Sequence, residues 1–105
     1  MAKILHLNLK KKWFDMIASG IKKEEYREIK PYWEKRLIDK YDDFIEGAFW
    51  FSDFDVIEFK NGYSKDARTM RIEFQGIEIG TAKPEWSDNW QGKVFIIKLG
   101  NIIYG

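Results

Sequence analysis

The chain has no cysteine, a single histidine, only two prolines and no long apolar run. Without cysteine it can form no disulfide, no thiolate metal site and no cysteine nucleophile, and a reducing, cytoplasmic setting suits it. The lone imidazole, His6, lacks the partners of a catalytic triad and makes a poor metal site; a place on the surface or a cleft rim is expected. No apolar stretch reaches membrane-span length, and the start MAKILHLNLKKK has alternating residues behind its basic end, so a soluble intracellular protein is expected. Asp42, Asp43 and Glu46 lack EF-hand spacing and suit a solvated turn. Neither a metal nor a cofactor is expected. Repeats, low-complexity runs and flexible linkers are also missing.

The near-zero net charge of +1 conceals an asymmetry: residues 1–40 carry 11 Lys/Arg against 6 Asp/Glu, and residues 41–105 carry 7 against 11. A basic first half can attract phosphate if the fold gathers its cations, for instance Lys10, Lys11 and Lys12 or Lys35, Arg36 and Lys40. Attraction between the two halves, or simple solvation, explains the same charges.

With 105 residues, 45% hydrophobic and 17% aromatic, the chain suits one domain over 1–105, burying roughly 60–65% of the surface its unfolded chain exposes. Leu5, Leu7 and Leu9 alternate with His6 and Asn8, the period of a half-buried strand. Trp13, Phe14 and Ile17 then fall at helical spacing over 10–19, and Gly20 suits a left-handed helix stop. Pro31 opens a second helix to about Lys40 with Trp33 and Leu37 as its buried stripe. Residues 41–52 fit either a strand broken at Gly47 or a loop. Strands are predicted over 54–60, closed by the turn signal Asn61-Gly62, over 69–79 with a bulge or turn at Gly76, over 93–99, and over 102–104. Residues 80–92 form a loop. The expected class is α+β: a small closed or nearly closed β-barrel with two short flanking helices. Trp13, Trp33, Phe49, Trp50 and Phe51 are expected in the core.

The densest charge lies in GIKKEEYR. On a strand Glu25 and Arg27 share a face and can pair, whereas Lys22 is out of phase and joins them only from the turn after Gly20. The three would then offer two cationic donors around one carboxylate, a grip for a phosphate, a carboxylate or a carbonyl oxygen. Lys23, Glu24 and Glu28 are expected to be solvated. On spacing alone the plainer reading is an exposed charged strand, since surface ion pairs are common and weak.

Gly20, Lys22, Glu25 and Arg27 also form a G-x-K-x-x-E-x-R pattern, which resembles the signature of the activating signal cointegrator homology (ASCH) domains. The later stretches FKNGYSKDARTMRIEF and KPEWSDNWQGKVFIIKLGNII look like those of small bacterial members. The resemblance implies a PUA-like barrel, a cleft lined by the signature residues, and binding of RNA or modified nucleotides. One branch of the family deacylates N4-acetylcytidine, using the motif lysine, a threonine at the motif glutamate position and a distant glutamate. Lys22 matches that lysine, Glu25 replaces the threonine, and Glu85 stands for the distant acid by position only. A carboxylate beside Lys22 stabilises its ammonium form, so binding ranks ahead of hydrolysis. A protein-interaction domain is the third class.

Three further groups complete the expected site. Asn61, Tyr63 and Ser64 sit on a turn able to close over a ligand. Trp86 and Trp90, in the 80–92 loop, suit a plug for the barrel end, with base stacking by Trp86 as the alternative.

Overall fold

A computed structural model describes residues 2–104. Seven strands and two helices follow the chain as β1 (Ile4–Leu9), α1 (Lys11–Ala18), β2 (Glu24–Glu28), α2 (Pro31–Leu37), β3 (Ile38–Tyr41), β4 (Phe49–Phe51), β5 (Val56–Asn61), β6 (Thr69–Thr81) and β7 (Lys93–Tyr104). The class is α+β as expected. Five strands form one sheet in the order β1-β5-β6-β7-β2, and β3 and β4 form a separate pair. Only β1 and β5 run parallel.

Alternation in β1 sends Leu5, Leu7 and Leu9 into the core, where Trp13, Phe14 and Ile17 of α1 meet them. Ile57, Phe59, Met70, Ile72, Phe95, Ile97 and Leu99 complete this side from the three central strands, each large side chain contributing roughly 1.5–3 kcal/mol when fully buried. A second, smaller cluster covers the other face: Tyr26, Ala82, Val94 and Ile96 under Trp86 and Trp90. Burial on both faces explains the unbroken VFII of β7, because such a strand has no polar side to alternate with.

The sheet does not close. Among the described residues no ladder joins β1 to β2, which are its two edges, so the barrel expected from the sequence is an open curled sheet with a seam. α2 also stops three residues short of the expected Lys40. Ile38, extended at φ −108° and ψ 122°, caps it and begins β3, which pairs with β4; sheet pairing overrides the weak helical pattern of IDK. The ambiguous segment is therefore a turn and a strand. Asp42 Oδ1 accepts the Phe44 and Ile45 N–H groups at 2.7 and 2.8 Å to close that turn.

Within β4, alternation leaves Trp50 48% exposed, with Lys40 Nζ 4.9 Å from its ring, so it is not core as expected. β7 runs through the predicted break as one strand, and register shifts against β6, including one between Phe74 and Ile77 beside Gly76, absorb the irregularity. Gly100 is the close approach within it, since a Cβ there would lie 2.9 Å from the Glu73 Cβ. No helix is long and apolar enough to cross a membrane among the described residues.

Candidate functional site: an aromatic cleft at the sheet seam

Gly20, at φ 84°, turns the chain out of α1. Both Ile21 and Lys22 then donate their backbone N–H to Met16 O, which fixes Lys22 in the expected turn before β2 starts. There its side chain swings beneath Glu25. Lys22 Nζ lies 3.1 Å from Glu25 Oε1, and Arg27 Nη1 lies 2.5 Å from Glu25 Oε2. The three predicted charges converge.

Their exposures differ in a way the sequence did not disclose. The Lys22 side chain is 0% exposed and is absent from the cleft wall. Its ammonium donates to Trp86 O at 2.6 Å and lies 4.6 Å from the Tyr26 ring centre and 5.1 Å from that of Trp13. These are the contacts of a charged ammonium enclosed by two acceptors and two ring faces. Burial pushes its pKa below the ordinary lysine value, and the adjacent Glu25 carboxylate opposes that shift. Lys22 therefore stands behind the cleft, holding Glu25, rather than in it as a ligand contact.

Glu25 and Arg27 do reach the cleft. Arg27 Nη1 also donates to Tyr26 O at 2.7 Å, and Nη2 crosses the seam to Asn8 O on β1 at 2.9 Å. Its guanidinium lies 5.1 Å from the Trp33 ring centre. Arg27 thus ties the two sheet edges together, while its Nε–H has no acceptor among the described residues. Each Glu25 oxygen holds one cation and retains a lone pair for another donor.

The cleft has a volume of about 430 Å³ and opens along the seam between β1, β2, α2 and the loop before β7. Trp13, Tyr26, Tyr32, Trp33, Tyr63, Trp86 and Trp90 line it, sharing the wall with polar groups that include Asn8, Lys10, Glu25, Arg27, Glu28 and Asp88. Trp86 and Trp90 both cap the second cluster and face the cleft, so plugging and lining are one arrangement. Tyr63 is 86% exposed and stands at the rim, as does the exposed His6.

Other expected members lie outside the wall. Asn61 ends β5 off the cleft wall, its backbone N–H donating to Arg68 O, and Ser64 Oγ accepts the Asp66 N–H to close its own turn. Glu85 is exposed on the short 3-10 turn Pro84–Trp86, which directs Trp86 rather than Glu85 to the cleft. Glu24 is not a solvated bystander: it accepts the Tyr26 hydroxyl at 2.7 Å and pairs with Lys98 at 3.4 Å. Burial raises the Tyr26 pKa, against a lowering by the Lys83 N–H that it accepts, with Glu24 adding to the rise.

The basic groups of the first half are dispersed onto separate partners. Lys10 pairs with Asp88 and Lys11 with Asp15, while Lys12 and Arg36 lie over Trp13 and Tyr32. No cluster of metal-holding side chains occurs among the described residues. Trp13, Tyr32 and Trp33 were missed as cleft walls. Their signal was available as aromatics on both flanks of the charged stretch, though the same residues serve equally as helix stripes. Comparison with protein-family profiles, with characterised proteins and with solved structures finds no match to this chain.

Proposed function

We propose that the chain is an ASCH-type binding module that takes one unpaired base of RNA, or a modified nucleoside or nucleotide, into the seam cleft. The observation that carries this reading is the Glu25–Arg27 pair, held rigid at an aromatic-walled cavity of about 430 Å³. That volume lies within the usual range for small-ligand pockets. An unpaired base needs aromatic faces to stack on and polar groups for its edge, and here Glu25 accepts from a base N–H while Arg27 donates to a ring nitrogen or carbonyl. The resemblance to ASCH domains rests on Gly20, Lys22, Glu25 and Arg27. The α+β architecture supports it, as do Glu25 and Arg27 on the cavity wall with Lys22 held behind Glu25.

Deacylation of a modified nucleoside such as N4-acetylcytidine is the second reading, favoured by the lowered pKa of Lys22. Against it, the amine is enclosed and already donates to Glu25 and Trp86, so it meets no substrate carbonyl without a rearrangement of the Trp86 segment. Titration of tryptophan fluorescence with ribonucleosides and short single-stranded RNA tests the first reading. Saturable quenching that is lost in Arg27→Ala and weakened in Glu25→Gln is expected. The absence of binding by every nucleoside and RNA in the wild-type protein would sink it. The hydrolase reading requires acetate release from N4-acetylcytidine that disappears in Lys22→Ala.

A further inference from the structure

A second cavity, of about 390 Å³, adjoins the first and shares two of its walls, Glu28 and Trp90. It continues past the end of β2 and is lined further by Lys30, Asn89, Gln91 and Lys93. Glu28 is held by Lys30 at 3.2 Å, while Lys93 has no ion-pair partner among the described residues. The wall therefore presents one uncompensated cation and two side-chain amides beside an indole common to both cavities. Asn89 at φ 55° and Gly92 at φ 72° shape the loop that carries these groups.

We propose that the second cavity receives the nucleotide adjacent to the one bound in the seam cleft, so that the ligand is a dinucleotide unit of single-stranded RNA rather than an isolated nucleoside. Trp90 separates the two sites and offers a ring face at the step between successive bases. Lys93, the uncompensated cation, takes the intervening phosphodiester as a point charge. Asn89 and Gln91, each both donor and acceptor, meet the edge of the second base or its ribose. Glu28, neutralised by Lys30, adds no net negative charge to the shared wall that the phosphodiester crosses.

This inference rests on the base-binding reading of the first cleft, and one experiment distinguishes their failures. The ribonucleoside that binds tightest is compared with its 5′- and 3′-monophosphates and with dinucleoside monophosphates containing it, across a range of salt. The dinucleotide is expected to bind about tenfold tighter than the nucleoside, within what one stacked base contributes. Its affinity is expected to fall as salt screens the single phosphate–lysine contact, while the uncharged nucleoside shows almost no salt dependence. In Lys93→Ala the salt dependence disappears and the gain shrinks, with nucleoside affinity unchanged. A dinucleotide that binds no tighter than its nucleoside overturns the second site and leaves the first standing. A monophosphate that reproduces the whole gain also overturns it, because no second nucleotide is then held. Failure of every nucleoside to bind removes both proposals.

Discussion

Glu25 is 5% exposed and satisfies two cations of unlike fate, one sealed behind it and one facing the cleft. Glu25→Gln removes the charge from between them and leaves Lys22 without a counterion; the expected loss is about 3–5 kcal/mol, as for breaking a buried pair, measured by denaturant unfolding. Lys22→Met keeps the side-chain length and leaves Glu25 with Arg27, so a smaller loss is expected in the same assay. Tyr26 adds a pH signature. Its folded-state pKa is raised, so its contribution is complete below the unfolded phenol value of 10.0 and is lost as pH climbs beyond it. Lys22 has the opposite sign: its folded pKa lies below 10.5, and stability rises with pH between the two. Alkaline melting curves separate the two effects, Tyr26→Phe abolishing the fall and Lys22→Met abolishing the rise. Spacing made the Glu25–Arg27 pair legible and let Lys22 join it only from the turn after Gly20, a convergence favoured by the family pattern and not by spacing; the depth of Lys22 was not legible. Depth depends on Trp86, far along the chain and invisible to any local pattern.

Among the elements, α1 and β1 were readable because each carries an uninterrupted period and packs on the face that the period defines. The β3–β4 pair was not, because the order FIEGAFWF is compatible with several local conformations and pairing with residues 38–41 decides between them. Two glycines matter at this scale. Gly20→Ala forces a side chain into left-handed backbone and is expected to cost about 1 kcal/mol; because that turn delivers Lys22, ligand affinity should fall with it. Gly100→Ala drives a methyl against the Glu73 Cβ on β6, and overpacking of this kind costs typically 1–3 kcal/mol. Thermal unfolding of the two variants checks both values. Gly20→Ala alone should weaken ligand binding, since Gly100 lies outside the cleft wall.

For the whole molecule, the ion pairs that join the two parts of the sequence run in both senses: Lys10 of the basic part reaches Asp88, whereas Arg68 and Lys98 of the acidic part reach Asp15 and Glu24. Pairs near the surface are weak and screened by solvent and salt, so added salt should lower stability only slightly. The seam matters more. A ligand gripped by Glu25 and Arg27 sits where β1 and β2 are joined by the Arg27–Asn8 bond, and binding should slow amide exchange along both edge strands, measured by hydrogen–deuterium exchange. Exchange unchanged at saturating ligand would place binding elsewhere. The strand order has one more consequence, in time rather than in space. β2 carries Glu25 and Arg27 and precedes most of the strands in sequence, yet its ladder partner in the sheet is β7. On the ribosome these two residues emerge before β5, β6 and β7 and wait, unplaced, until translation has delivered β7, so the seam cleft takes shape late in the folding of this sheet.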